Sequence, residues 1–184
     1  MMKELSLNIL DVTENSVKAG ATLIYIIVTE KSRKMTITIK DNGCGMSAEI
    51  LKGVTDPFYT TRTTRKVGMG LPLLKMAAEM SGGSMNVTSV SVEDDAINHG
   101  TEVTASFDMD NIDFTPLGDI VATVTTLIQG HPDTDFSFSH ETEKGTVLLE
   151  TLKLRELLED VPLNSYEVIK WIEEYLNEQY DSLK

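Results

Sequence analysis

The chain is predicted to fold as an α/β (α+β) two-layer sandwich, a mixed sheet with helices on one face, followed by a smaller α-β-β-α appendage. Three observations predict this. The first part runs helix, two strands, helix, loop, helix, two strands, so strands mostly follow one another with helices between them. The runs "TLIYIIVTE" and "MTITIK" are rich in β-branched residues and joined by the turn-like "KSRK". Finally, 41% of the 184 residues are hydrophobic, spread without a long apolar run, which suits one full core.

Taken in order, residues 4 to 18 read as a helix with Leu5, Ile9 and Val12 on one stripe and Asn8, Asp11, Asn15 and Lys18 on another, closed by Gly20. The hairpin follows and ends at Asp41. Then come the glycine turn "DNGCGM", a short helix near Ala48 to Lys52, the loop "DPFYTTRTTRKVGMG", and a helix from Leu71 to Met80 stopped by "SGG". Strands at Met85 to Val92 and Thr101 to Asp108 flank the acidic turn "EDDAINHG". Composition changes around "DMDNIDFTPLG", which divides the chain into residues 1–109 and an acidic C-terminal appendage, 110–184. In the appendage Leu117 to Ile128 reads as helix, "DFSFSH" and "TVLLETL" as a hairpin turning at "ETEKG", and Arg155 to Leu158 and Tyr166 to Tyr180 as helices. No chemistry-bearing motif, repeat or low-complexity stretch stands out there.

The net charge is −13, and residues 111 to 184 carry most of it, with 5 Lys and Arg against 15 Asp and Glu. Such a chain repels nucleic acid, since affinity for phosphate backbones comes mostly from Lys and Arg displacing counterions. The acidic segment suits either a solvated face or docking to a basic partner. No run reaches the roughly 18 apolar residues of a membrane span, and the start has no apolar signal segment, so the expected location is the cytoplasm. The single cysteine, Cys44, excludes an internal disulfide and fits a reducing compartment.

The chemistry gathers in the first part. Gly43 and Gly45 would let backbone approach a flat ligand, and the Asp41 carboxylate could accept a hydrogen bond from it, although "DNG" is also a common turn. Gly68 and Gly70 open a helix whose free N–H groups and dipole suit an anion such as phosphate; the alternative is a plain loop entering a core helix. Neither a G-x-x-x-x-G-K-[ST] loop nor a G-x-G-x-x-G fingerprint is present, so a phosphate site here differs from both.

The runs "ENSVKAGA", "DNGCGM", "DPFYTTR", "GMGLPL" and "HGTEV" resemble, in order and approximate spacing, five sequence boxes of the GHKL superfamily. That superfamily joins DNA gyrase, the heat-shock chaperone ATPase, histidine kinases and the mismatch-repair ATPase. The likeness covers about residues 5 to 108. It implies the Bergerat ATP-binding fold, ATP and Mg2+ as ligands, and a lid over the phosphates. By the same resemblance, Asn15 would coordinate Mg2+ through its amide oxygen, and Lys18, on nearly the same helical face, would offset phosphate charge. Asp41 would accept from the exocyclic amine of adenine, with Thr101 beneath the base and Gly43, Gly45 and Met46 flanking it. Gly68, Met69, Gly70 and Leu71 would supply backbone near the phosphates, and Phe58, Thr60, Thr61 and Arg62 would belong to the lid.

The N-terminal boxes resemble the mismatch-repair branch, whereas the short lid and "GMGLPLLKMAAEMSGGSM" resemble the histidine kinases. Asp11 stands where the hydrolysing branches carry a water-activating glutamate, one methylene longer; it is the candidate catalytic residue, and a carboxylate that only holds the Mg2+ shell is the alternative. Of the histidines, His99, His131 and His140, only "HET" at His140 resembles a phospho-acceptor motif, and a surface histidine in a hairpin is the expected reading. The resemblance thus implies an ATP-binding, histidine kinase-like protein that phosphorylates or regulates a partner protein in signal transduction. The alternatives are an ATP-gated adaptor of anti-sigma type without phosphoryl transfer, and a slow ATPase.

Overall fold

A computed structural model describes residues 2–55 and 69–184. One six-stranded sheet runs in the order β3-β4-β2-β1-β5-β6. Its strands are β1 (Leu23–Lys31), β2 (Lys34–Asp41), β3 (Ser84–Val90), β4 (Gly100–Asp108), β5 (Asp135–Thr142) and β6 (Gly145–Glu150). The helices are α1 (Leu5–Lys18), α2 (Ala48–Gly53), α3 (Gly70–Met80), α4 (Ile120–Gly130), α5 (Thr151–Leu158) and α6 (Tyr166–Ser182). Only the β1–β5 pair is parallel; the other four pairs are antiparallel.

Period-two alternation sets the layers. Ile24, Ile26 and Val28 of β1 are fully buried while Tyr25 and Ile27 between them are exposed, and Met35, Ile37 and Ile39 repeat the pattern on β2. One face of the sheet therefore carries α1, α3, α4 and α6, and the other stays open, as the sequence predicts. On α1, Leu5, Ile9 and Val12 recur at helical spacing and pack into that layer. The turn joining β1 to β2 is Ser32-Arg33, with φ of 51° and 63°. Two left-handed non-glycine residues are costly there. The Glu143 carboxylate accepts from the Ser32 N–H, the Arg33 carbonyl accepts from Met109, and the Arg33 guanidinium pairs with Asp110.

The change of composition at residue 110 falls in the connection from β4 to α4, and the sheet continues across it. β5 lies beside β1, the most apolar strand, which would otherwise be an open edge. The new edge, β6, is blunted by Gln179, whose side-chain amide donates to the Leu148 carbonyl and accepts from its N–H. The same C-terminal segment braces α1: the Pro116 and Leu117 carbonyls accept from the N–H groups of Leu5 and Ser6, and His131 pairs with Glu14 at 2.7 Å. Those carbonyls satisfy orphan donors at a helix start with no side-chain cap.

Two readings need correction. "TVLLETL" is not all strand: the chain turns into α5 at Thr151, whose hydroxyl accepts from the Phe136 N–H and donates to Asp135. His140 is not a surface residue. It is 4% exposed, because it continues the inward row Phe136, Phe138 of β5.

Candidate nucleotide-binding site

The site grows from one register row. Asp41 at the end of β2 pairs with Thr101 of β4, which pairs with Ser89 of β3. Asp41 is 8% exposed, and a carboxylate so buried needs donors. Its Oδ1 accepts from the backbone N–H groups of Gly43 at 2.9 Å and Thr101 at 3.3 Å, and its Oδ2 from the Ser16 hydroxyl at 2.5 Å. Bonds to a charged acceptor are about twice as strong as neutral ones, so these three fix the carboxylate. Along the row, the Ser89 hydroxyl donates to the Gly100 carbonyl at 3.0 Å and accepts from the Met46 N–H at 2.8 Å; the Thr101 hydroxyl lies 2.8 Å from it.

The glycine loop after β2 is threaded through this frame. The Cys44 N–H donates to the Ala19 carbonyl, the Cys44 carbonyl accepts from Val92, and His99 Nδ1 lies 2.5 Å from the Gly43 carbonyl, which fixes its donor role. The backbone N–H of Asn98, then that of Ile97, holds the Asp95 carboxyl below its usual range, shaping the turn that presents His99. Gly45 has φ +66°, and a Cβ there would stand 1.9 Å from the Val90 carbonyl oxygen, so no other residue fits. Asn42 joins the loop to the start of β1 by accepting from the N–H groups of Thr22 and Leu23.

α1 and α3 form the second wall. Asp11, Asn15 and Lys18 lie on α1, Asp11 and Asn15 half-buried and Lys18 exposed. The start of α3 meets α1 so closely that a Cβ on Gly70 would come within 3.1 Å of the Asp11 Cβ. No side chain caps α3, and Pro72 in its first turn brings no N–H, leaving Gly70 and Leu71 as its leading donors. Leu71 buries its side chain in the core and offers only backbone, whereas Met69 is exposed.

The structure thus joins Asp41, Gly43, Met46 and Thr101 through hydrogen bonds, packs Gly45 against the Val90 carbonyl beside them, and sets Asp11 against Gly70. Phe58, Thr60, Thr61, Arg62 and Gly68 lie outside the described residues. Ser16, Ser89 and His99 were not singled out in the sequence. Ser16 had a signal, a small hydroxyl beside Asn15 on the core-facing side of an otherwise polar run. Ser89 becomes visible only through strand register. Among the described residues no group of three or more His, Cys, Asp or Glu could hold a metal, so a hard cation here would rest on an amide oxygen and water.

The family model for the histidine kinase-, DNA gyrase B-, and HSP90-like ATPases matches residues 2–111. The chain belongs to this family. Among curated relatives, a putative sensor protein of Shewanella frigidimarina is 32% identical over 103 residues, 54% of this chain and 15% of its own length. The DNA mismatch repair protein MutL of Listeria monocytogenes is 30% identical over 173 residues, 77% of this chain and 28% of its own. Sporulation kinase A of Bacillus subtilis is 30% identical over 88 residues, 48% of this chain and 14% of its own. The chain therefore spans a minor part of each of these relatives.

Two solved structures share the fold. The N-terminal domain of a DNA repair protein has a TM-score of 0.56 at 21% identity, covering 81% of this chain and 53% of that one. The MutL ATPase domain of Aquifex aeolicus, complexed with ADP, has 0.52 at 16% identity, covering 86% and 70%. Both likenesses span more of the chain than residues 2–111, in keeping with a sheet that continues through β5 and β6. As a member of the family, the chain is an ATPase-type domain related to both histidine kinases and MutL. No described helix is long and apolar enough to cross a membrane.

Proposed function

We propose that the chain binds Mg-ATP at the Asp41 pocket and phosphorylates or regulates a partner protein in trans. The observation that carries this is the buried Asp41 carboxylate, fixed by three donors at the mouth of a glycine loop. Oδ1 is filled by two backbone amides, while Oδ2 has taken one donor and keeps a lone pair for the exocyclic amine of adenine. Guanine presents a carbonyl in that place and leaves the carboxylate unpaired, so discrimination reaches about 10⁴-fold at most.

The residues fit the remainder of the ligand. Thr101 lies under the base beside Asp41, and Gly43, Gly45 and Met46 line its edge. Asn15 offers an amide oxygen to Mg2+, Lys18 offsets phosphate charge, and the leading N–H groups of α3, with Met69 before them, suit anions, a role that Gly68 would share by resemblance to the family. Phe58, Thr60, Thr61 and Arg62 complete the lid by resemblance to the family. Bound Mg-ATP supplies a transferable phosphoryl group; the chain's own part is positioning and electrostatics. Asp11, beside Gly70, would hold a water next to bound Mg2+ or, in a slow ATPase, would orient the attacking water.

Action on another molecule is favoured by the histidines, since each is engaged. His99 holds Gly43, His131 pairs with Glu14, and His140 is buried between Tyr180, 2.8 Å from Nδ1, and Glu30, 3.2 Å from Nε2. Their engagement favours an acceptor on a partner protein over one of these three histidines. A nucleotide-gated adaptor is the second reading, favoured by the bracing of α1 from residues 116–131, which ties the nucleotide helix to the C-terminal layer. The test is incubation with Mg2+ and γ-labelled ATP, with and without host-cell extract. Label on an extract protein, lost with Asn15→Ala, identifies a kinase; binding with no transfer identifies the adaptor; free phosphate lost with Asp11→Asn identifies the ATPase. Absence of Mg-ATP binding refutes all three.

A further inference from the structure

The outer face of α6 carries an aromatic stack that the nucleotide site does not use. Trp171 is the chain's single tryptophan, and it is 47% exposed. It stacks on Tyr175, itself 37% exposed, with ring centroids 4.9 Å apart and planes 10° from parallel. The core stripe of the helix is Val168, Ile172 and Leu176, so the stack runs one residue out of phase, along the core's flank. Glu167 lies one turn before Trp171, Glu174 three residues after it and Glu178 three after Tyr175, all exposed, so carboxylates surround the rings. The helix holds five Asp and Glu against a single cation, Lys170, which is itself drawn to Glu174 at 3.9 Å.

Rings of this size are normally buried or give their faces to a partner. Three occupants are disfavoured by charge. An anionic lipid surface and a nucleic acid are repelled by the carboxylates, and a second copy would set the same acidic face against itself. A guanidinium or ammonium gains twice, over the ring face and beside the carboxylate. We propose that the Trp171–Tyr175 face of α6 docks a cationic amphipathic helix of a partner protein. Its apolar side lies on the exposed rings, and its Arg or Lys residues reach Glu167, Glu174 and Glu178. This gives a chemistry to the partner in the reading above; the surface can be tested without nucleotide, so either proposal can fail alone.

Because Trp171 is the only tryptophan, its fluorescence reports occupancy directly. The probe is a synthetic Leu/Arg peptide with leucine at helical period, titrated into the full chain, beside a peptide of the same composition with the period scrambled. The expected result is a saturable shift with the periodic peptide, at least ~10-fold weaker with the scrambled one and with Glu174→Lys/Glu178→Lys, in line with loss of paired charges at a docking surface. Tyr175→Ala weakens it likewise, while far-UV circular dichroism of each variant matches the parent. No shift, equal shifts from both peptides, or full binding by the charge-reversed variant overturns the proposal. So does a concentration-dependent dimer in sedimentation that Tyr175→Ala abolishes, which would assign the face to a second copy.

Discussion

The Ser16 hydroxyl donates to the Asp41 carboxylate at 2.5 Å, tying the middle of the family's first box on α1 to the end of β2. Asn15 precedes Ser16 directly, so this bond sets the spacing between the proposed metal ligand and the proposed base acceptor. Ser16→Ala removes a hydrogen bond to a charged group, worth about 1.5–3 kcal/mol. The expected outcome is a lower unfolding midpoint together with weaker ATP binding, measured by thermal denaturation and calorimetry. Unchanged affinity at reduced stability would limit the bond to a structural part.

Gly45→Ala is expected to be severe. The position costs about 1–3 kcal/mol in backbone conformation alone for a residue with a Cβ. The Cβ would also overlap the Val90 carbonyl at 1.9 Å. A fall in unfolding midpoint of roughly 5 °C or more is expected for a chain of this size. Gly20→Asn is the contrast: φ is +77°, a Cβ there meets nothing within 4 Å, and asparagine tolerates this region. It should cost far less in the same melt.

The brace between Glu14 and His131 joins the nucleotide helix to the C-terminal layer. Replacing His131 with alanine is expected to destabilise by about 1 kcal/mol, as for a part-buried hydrogen bond. Faster hydrogen exchange at the end of α1 would accompany it. Exchange that changes only in α4 would show that the pair does not hold α1.

Tyr180 gives a pH dependence. Burial, and then the Glu30 carboxylate, push its phenol well above the usual value. The folded state therefore keeps the proton that the unfolded chain loses near pH 10. Its contribution is fully present below that pH and is lost as pH rises further. Tyr180→Phe should flatten the alkaline fall in stability while costing the bond to His140 near neutrality. Chemical denaturation from pH 7 to 11 reads both effects, and an alkaline limb of equal slope in the variant would contradict the assignment.

Much of this was legible in the sequence. Helical spacing on α1 and the alternation of β1 and β2 are local patterns, so those elements and the first glycine box could be read directly. The row beside Asp41 was less visible: Thr101 came only from the family resemblance, and Ser89 reaches Thr101 only through strand register, a non-local property. The parallel pairing of β5 with β1 is non-local too, so the acidic segment looked separate when it extends the sheet. His140 could have been placed better: "DFSFSH" alternates strictly, and the period that buries Phe136 and Phe138 buries it as well. The start of α5 was misread because "TVLLETL" is an apolar run too short for periodicity to separate helix from strand.

In the proposed function, Asp41 anchors an adenine nucleotide. Calorimetric titration of the full chain with Mg-ATP and with Mg-GTP, repeated on Asp41→Asn, tests it most directly. Saturable binding of ATP, none measurable for GTP, and loss of ATP binding in a variant that melts cooperatively are the expected results. Equal affinity for the two nucleotides, or Asp41→Asn binding ATP as the parent does, would contradict it.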